Sequence, residues 1–374
     1  MRRLGYAIAL FALLLRPASA DTVLPGLIRE FLMVPVTLAD GRQVSLEAVV
    51  VRPDRAARFP LVVVVHGTPR ISGETLRTEL RRLSPLGLVS PAVAFAQRGY
   101  AAVSIMRRGF GRSEGPFAES LSGTCNDRDY LAVGKTAAED VMAAAATLRA
   151  EPWADPDRVL LLGLSTGGFA VTAAAANNPP GVVGVMNFAG GSGSAGPDRV
   201  CSADRLVADA GIFGRTARVP ALWVYAENDH YIPAALGRRM YEAYAAAGAP
   251  AELEILPPYG SEGHDLVAGP TELWWPSVAR FLDGLRLPTA LMVELPPLAQ
   301  IPPPAPLNAA CTVYFNSYLS ARTDAKAFAW NAEGHCSSAI ERTVDEAKSE
   351  ALRRCVEAWK DCSLYAVGQS LMRG

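Results

Sequence analysis

The fold is decided by one stretch of the sequence, Val159–Gly168, which reads VLLLGLSTGG. Its first four residues predict a buried strand, and the residues from Thr166 onward are typical of a helix. Between the two, Gly163 and Gly167 flank Ser165 in a G-x-S-x-G pattern. On a sharp strand-to-helix turn, such glycines leave room where side chains would collide, and the turn lifts the serine hydroxyl above the sheet. The stretch therefore predicts an α/β sheet with Ser165 as a candidate nucleophile.

The same alternation of strand and helix continues on both sides of this stretch. Short, unbroken apolar runs predict strands buried on both faces, and they occur at Leu61–Val65, Ala101–Ile105, Val182–Val185 and Ala221–Val224. Between the runs lie helix-like, alanine-rich stretches, at Thr136–Arg149, Thr166–Ala176 and Ala234–Ala247. Two further strands are predicted between Phe31 and Val51, around an Asp40-Gly41 turn. This order predicts a mostly parallel sheet flanked by helices.

A second G-x-S-x-G match, Gly111–Gly115, competes with the first. Its serine, Ser113, follows a glycine-containing approach, and Pro116 comes next without a helical run. Ser113 therefore lacks the strand-to-helix setting that the chemistry needs. We favour Ser165, for which an ordinary turn serine is the remaining alternative.

A serine hydroxyl needs a base, and the base needs an acid that orients it. In this strand–helix arrangement the partners follow the serine in the order acid, then histidine. His264 lies in a loop after the strand-like Glu252–Leu256 and before the helix-like Thr271–Leu285, so it is the candidate base. The alternatives are His230, which follows its strand closely, and a surface role for His264. His66 precedes the serine, and we interpret it as structural.

Asp229 is the candidate acid because it follows the predicted strand that begins at Ala221, at the carboxyl end where catalytic groups gather. Glu227 is the runner-up, and Asp229 could also be only a helix cap. For the oxyanion hole we expect the backbone N–H groups of Thr166 and Thr68, with Gly67 as the alternative to Thr68.

Composition narrows the possible functions. The 374 residues carry a formal net charge of -1, and half of them are hydrophobic, so the chain can bury a core and lacks the basic surplus of a nucleic-acid-binding protein. No CxxC pair or HExxH helix occurs, and there are only four histidines. We therefore expect no metal and no nucleic-acid partner.

The chain divides into four predicted parts. Residues 1–20 combine the basic pair Arg2-Arg3, an apolar core and the cleavage pattern Ala18-Ser19-Ala20. These features predict an export signal peptide, and so a secreted or periplasmic protein. The alternative is an anchor that is not cleaved. Residues 21–287 form the predicted catalytic domain. Residues 288–309 form a linker, with seven prolines between Pro288 and Pro306. Residues 310–374 form a small cysteine-containing domain. No stable membrane insertion is expected after signal cleavage.

An exported chain with an even number of cysteines predicts disulfides. The six are Cys125, Cys201, Cys311, Cys336, Cys355 and Cys362. Two precede the linker and four follow it, so pairing within each part leaves none over. We propose Cys125 with Cys201, Cys311 with Cys336, and Cys355 with Cys362, although the last four cysteines allow three connectivities.

These motifs together resemble the α/β-hydrolase superfamily, and within it the dienelactone-hydrolase-like and prolyl-oligopeptidase-like branches. The resemblance covers about Phe31 to Leu285 and rests on the order His66-Gly67-Thr68, Arg108–Gly115, Gly163–Gly167, Asp229 and His264. It implies an eight-stranded, mostly parallel sheet and no cofactor. A dienelactone hydrolase usually carries cysteine as its nucleophile, so Ser165 favours esterase or peptidase chemistry. The region from about Cys311 resembles a small secreted bacterial module of unknown function.

The expected reaction is acyl transfer to Ser165 from a small-molecule ester or a short peptide, followed by hydrolysis of the acyl-enzyme. An ester is the first choice of substrate. The alternatives are a serine peptidase or amidase and a non-catalytic binding protein whose C-terminal module engages an unknown partner. Labelling by a fluorophosphonate distinguishes an active enzyme from a binding protein.

Overall fold

The computed structural model of the chain describes residues 23–69, 74–117 and 123–372. The predicted signal peptide, residues 1–20, lies outside the described residues. Within them, no helix is long and apolar enough to cross a membrane.

The strands of the described residues are, in chain order, β1 (Leu27–Thr37), β2 (Gln43–Pro53), β3 (Phe59–Val65), β4 (Ala101–Ile105), β5 (Gly123–Thr124), β6 (Asp127–Arg128), β7 (Ala154–Leu164), β8 (Val182–Phe188), β9 (Ser194–Gly196), β10 (Arg199–Val200), β11 (Ala221–Ala226), β12 (Ala251–Leu256), β13 (Lys326–Trp330), β14 (Cys336–Ile340), β15 (Ser363–Val367) and β16 (Ser370–Leu371).

The α-helices of the same residues are α1 (Glu74–Arg82), α2 (Val89–Ala96), α3 (Tyr130–Leu148), α4 (Thr166–Ala175), α5 (Ala203–Gly214), α6 (Ala234–Ala246), α7 (Thr271–Gly284), α8 (Ala309–Ser320) and α9 (Val344–Ala358). Short 3₁₀ turns span Pro85–Leu88 and Leu266–Ala268.

Eight strands form the main sheet, in the order β1-β2-β4-β3-β7-β8-β11-β12. β1 and β2 pair antiparallel, as do β2 and β4, and every later pair is parallel. Every residue of β3 and of β4 is buried, as expected of strands covered by helices on both faces. The predicted α/β-hydrolase fold, an eight-stranded and mostly parallel sheet flanked by helices, is confirmed.

The helix α3 starts earlier than the sequence suggests. Its first residue is Tyr130, not Thr136, because the side chain of Asp129 accepts a hydrogen bond from the backbone N–H of Ala132 and caps the helix there. The added turn contains Tyr130, which is fully buried and whose hydroxyl donates to the Cys201 carbonyl. This contact joins the start of α3 to the loops above the sheet.

The C-terminal part is a small α+β unit, as predicted. A four-stranded antiparallel sheet, in the order β14-β13-β15-β16, packs with α8 and α9. Disulfides join Cys311 to Cys336 and Cys355 to Cys362, which are the pairs proposed from the sequence. The last bridge joins the final turn of α9 to the residue before β15, because α9 ends at Ala358 and β15 begins at Ser363.

The first part of the proline-rich stretch between α7 and α8 runs along the helices that cover the main sheet. The backbone N–H groups of Met292 and Val293 both donate to the carbonyl of Gln97, and the Tyr100 hydroxyl donates to the Pro288 carbonyl. Farther along, Ile301 is buried in the core of the C-terminal part. The domain boundaries at residues 287 and 309 stay a prediction.

Candidate active site

Ser165 sits on the turn between β7 and α4, as the sequence predicts. Its φ is 58° and its ψ is −124°, a backbone conformation that L-residues rarely adopt. Gly167 permits the turn, because a Cβ at that position would lie 2.2 Å from the Val65 carbonyl oxygen. The turn places Ser165 at the start of α4, where free backbone N–H groups favour negative charge. The residue is 8% exposed.

Asp229 and His264 form a buried pair. His264 Nδ1 lies 3.0 Å and 2.9 Å from the two carboxylate oxygens of Asp229. Asp229 Oδ1 also accepts from the backbone N–H groups of Tyr231 and Ile232, each at 2.8 Å. Since a carboxylate oxygen accepts, Nδ1 carries the proton, and Nε2 of the neutral ring is left to act as a base.

Two residues that sequence reasoning missed hold the acid and base loops together. Glu262 Oε1 accepts from the backbone N–H of His230 at 3.0 Å and from that of His264 at 3.1 Å. The side chain of Asn228 accepts from the N–H of Tyr259 at 2.9 Å and donates to the Gly260 carbonyl at 3.1 Å. The sequence offers no signal for the contacts that join the two loops, because they connect residues about 30 positions apart.

The sheet order brings the three candidate residues to one edge. Ser165 follows β7, Asp229 follows β11, and His264 follows β12, and these parallel strands all end on the same side. Within the described residues the Ser165 hydroxyl makes no hydrogen bond to His264 or to another side chain. Hydrogen bonds between a nucleophile and its base are often long in ligand-free enzymes and tighten when substrate binds.

The expected oxyanion residues meet directly beside Ser165. A Cβ on Gly67 would lie 2.8 Å from the Ser165 Cβ, so the loop after β3 packs against the nucleophile. The hydroxyls of Thr68 and Thr166 are 2.8 Å apart, which links that loop to the start of α4. The backbone N–H groups of these two threonines stay the predicted oxyanion donors.

His66 has the structural role that we expected. Its Nδ1 donates to the Gly67 carbonyl at 2.7 Å, and its Nε2 accepts from the backbone N–H of Arg107 at 3.0 Å. Burial, together with the Arg107 guanidinium, lowers the pKa of His66 well below its usual value. Both ring nitrogens are engaged, so the neutral ring joins the ends of β3 and β4 and is not available as a base.

The rival acid and base lie elsewhere. His230 is exposed, and its Nδ1 lies 3.0 Å from both carboxylate oxygens of Asp198. That contact is the main cause of the raised pKa of His230. Glu227 is exposed as well. Neither residue replaces the pair of Asp229 and His264 in the buried position.

A disulfide between Cys125 and Cys201, the pair proposed from the sequence, joins the excursions after β4 and β8. The second excursion starts beside the nucleophile, because the N–H of Gly191 donates to the Ser165 carbonyl at 3.1 Å. Two short hairpins, β5–β6 and β9–β10, lie in these excursions. Among the described residues, no group of three or more His, Cys, Asp or Glu side chains could hold a metal ion.

Comparison with known proteins decides the family. The model of the X-Pro dipeptidyl-peptidase (S15) family matches residues 40–252, more than half of the chain. The chain belongs to the X-Pro dipeptidyl-peptidase (S15) family. It is thus a member of the α/β-hydrolase superfamily and a hydrolase of the serine type, as the resemblance implied. The matched region of this S15 member contains Ser165 and Asp229 and ends before His264.

Individual relatives of this S15 protein are more distant. The quorum-quenching protein AidA of Acinetobacter baumannii (strain MDR-ZJ06) is 33% identical over 139 residues, which are 37% of this chain and 38% of AidA. The chain therefore spans less than two-fifths of that curated relative. An acylaminoacyl peptidase of Pyrococcus horikoshii is 17% identical, with a TM-score of 0.49 over 71% of this chain and 43% of its own. An esterase of Pyrococcus furiosus is 14% identical, with a TM-score of 0.48 over 68% and 91%.

Proposed function

We propose that this S15 family member cleaves a carboxylic ester through an acyl-enzyme formed on Ser165. The observation that carries the proposal is the buried pair of Asp229 and His264 at the same sheet edge as a serine held on a strained strand-to-helix turn. Strain of this kind costs on the order of 1–3 kcal/mol and is found mostly at functional sites.

Each residue has one role in the mechanism. His264 Nε2 takes the Ser165 proton as the serine oxygen attacks the ester carbonyl. Asp229 holds the ring in the tautomer with Nδ1 protonated and stabilises the imidazolium that forms. The backbone N–H groups of Thr166 and Thr68 stabilise the oxyanion. His264 then protonates the leaving alcohol and activates the water that hydrolyses the acyl-enzyme.

The cover of the site favours a small ester. The excursions above the carboxyl edge contain hairpins of only two or three residues per strand, and the bridge from Cys125 to Cys201 joins them. We expect such short hairpins to leave room for a small acyl group beside Ser165. A peptidase is the second candidate, because the matching family is named for removal of X-Pro dipeptides.

One substrate panel separates the two candidates. It contains p-nitrophenyl acetate, butyrate and octanoate beside alanyl-prolyl p-nitroanilide, each assayed with the wild type and with Ser165→Ala. The ester proposal expects the highest kcat/KM for one of the p-nitrophenyl esters. A higher kcat/KM for the prolyl anilide would replace it with the peptidase.

A fluorophosphonate probe tests whether the site is active at all. It should label the wild type at Ser165, and peptide mapping identifies the labelled residue. Absence of labelling together with absence of turnover on the whole panel would favour the non-catalytic binding protein. The export and secretion of the chain stay part of this proposal and are supported by its three disulfides. Whether the C-terminal module binds a partner is a proposal of the same kind.

A further inference from the structure

The loop after β4 carries two adjacent buried arginines with different surroundings. Arg108 is paired with the carboxylates of Asp140 and Glu139. Arg107 is 2% exposed, and its Nη2 instead contacts three uncharged oxygens next to the active site. It lies 3.0 Å from Thr166 Oγ1, 3.2 Å from the His66 carbonyl and 3.4 Å from Thr68 Oγ1. The mechanism above uses Thr68 and Thr166, but it does not use Arg107.

Arg107 connects three separate segments of the oxyanion region. Its backbone N–H donates to His66 Nε2, and its Nη2 reaches the loop after β3 and the start of α4. The two threonines are 98 positions apart in the sequence, and their hydroxyls lie 2.8 Å from each other. The guanidinium therefore fixes the spacing of the two backbone N–H groups that are proposed to bind the oxyanion.

The positive charge is retained in spite of burial. Burial lowers the pKa of Arg107 to about 10, so the guanidinium stays protonated at neutral pH. A fixed charge in a partly dehydrated region acts on a nearby oxyanion more strongly than it would in water.

The hydroxyls of Thr68 and Thr166 carry one proton each. A guanidinium only donates, so neither threonine hydroxyl can donate to Arg107. One of the two hydroxyl protons forms the hydrogen bond between Thr68 and Thr166, in either direction. Within the described residues no acceptor engages the other proton. Since Arg107 is buried and both threonines are partly exposed, we expect this proton to point to the open side of the pair.

We infer that Arg107 is a positioning residue of the oxyanion hole, which clamps Thr68 to Thr166 and directs the remaining threonine hydroxyl proton toward the oxyanion. The hole then has three donors: two backbone N–H groups and one hydroxyl. The inference rests on the proposed function, because it assigns these groups to the acyl transfer at Ser165.

The primary test uses the isosteric change Thr68→Val, which removes one hydroxyl and keeps the shape of the side chain. With the p-nitrophenyl ester that the wild type prefers, kcat should fall roughly 100-fold while KM changes little when Thr68 carries the free proton, as for loss of one oxyanion donor; when Thr166 carries it, Thr166→Val shows this loss instead. Thr68→Ser restores a hydroxyl and should recover most of kcat. Thr136→Val is the matched control, because among the described residues its hydroxyl bonds the Ala132 carbonyl of its own helix and no other group, and it should keep the wild-type kcat.

Arg107→Met tests the clamp itself. We expect a loss of kcat of about 100-fold at nearly constant KM, and weaker inhibition by a boronic acid that forms a tetrahedral adduct on Ser165. The double variant Arg107→Met/Thr68→Val should be little worse than either single change, because residues that act as one unit are not additive. If Arg107→Met does not fold, Thr68→Val, Thr68→Ser and Thr166→Val decide the question.

The failure of this inference can be told apart from that of the proposed function. Fluorophosphonate labelling and ester turnover of the wild type test the function alone. If the wild type is active and folded Arg107→Met keeps kcat within about twofold, or folded Thr68→Val and Thr166→Val both do, the clamp is refuted and the triad is unaffected. A variant that only lowers the melting temperature, with unchanged kcat and unchanged boronate inhibition, would also overturn the clamp and make the contact purely structural.

Discussion

The two G-x-S-x-G segments of this chain have the same pattern and opposite surroundings. Ser165 follows a buried strand, begins a helix and keeps its hydroxyl free of hydrogen bonds within the described residues. Ser113 is fully buried, and its hydroxyl donates to the Met106 carbonyl at 2.7 Å and accepts from the N–H of Glu47 at 2.9 Å. The difference favours Ser165 over Ser113 as the candidate nucleophile, because the Ser113 hydroxyl is already bonded to two backbone groups.

The second segment has a structural role of its own. Glu47, which is buried beside Ser113, accepts from the N–H of Arg112 at 2.8 Å and forms an ion pair with Arg342 of the C-terminal part. The Arg342 guanidinium also lies 4.6 Å from the centre of the Phe31 ring. The segment around Ser113 therefore orders the loop after β4 and the contact between the two parts of the chain.

The largest expected effect is the loss of turnover in Ser165→Ala, which Ser113→Ala should not show. Ser165→Ala should lower kcat by on the order of 10⁴- to 10⁶-fold, because a triad without its nucleophile keeps only binding and oxyanion stabilisation. Ester turnover and circular dichroism measure this loss in a folded protein. Ser113→Ala is the matched control and should keep kcat per folded molecule. The reverse result would make Ser113 the nucleophile and the comparison wrong.

The next effect concerns the acid. Asp229→Asn keeps the size of the side chain but cannot stabilise the imidazolium or hold the same tautomer, so kcat should fall by roughly 10⁴-fold. Glu227→Gln is the control for the runner-up acid. Its side chain is exposed, and we expect nearly wild-type turnover. Loss of activity in Glu227→Gln alone would transfer the role to Glu227.

A smaller effect is expected from the loop that carries the base. Glu262→Ala removes the acceptor shared by the N–H groups of His230 and His264, so the base should lose its fixed position. We expect kcat to fall by about tenfold, since misplacement of a catalytic group costs rate without removing the group. Glu262→Gln keeps an acceptor oxygen and should rescue most of the rate. Equal rates for the Ala and Gln variants and the wild type would contradict this role.

The sequence predicts what depends on local pattern. Runs such as Leu61–Val65 specify buried strands, and the strand–serine–helix order at Ser165 specifies the turn. The order of Asp229 and His264 follows from the resemblance to a known superfamily, and the fold brings these two side chains together.

What the sequence misses depends on contacts between distant segments. Arg107 looks like any residue of a short basic run until the fold brings it to Thr68 and Thr166. Glu262 looks like a surface residue of a glycine-rich loop. The hairpins β5–β6 and β9–β10 contain too few residues for a period-two pattern, so they leave no readable signal.

The smallest effect on activity, and a clear effect on stability, is expected from Ser113→Ala. The change leaves the buried Glu47 N–H and the Met106 carbonyl without their partner, and an unsatisfied buried polar group costs about 1–3 kcal/mol. Urea unfolding should therefore show a lower free energy of unfolding for Ser113→Ala than for the wild type. Ser165→Ala removes no side-chain hydrogen bond within the described residues and should unfold close to the wild type. If both variants unfold alike while only Ser165→Ala loses turnover, Ser113 has no structural role, and the contrast between the two segments is one of chemistry alone.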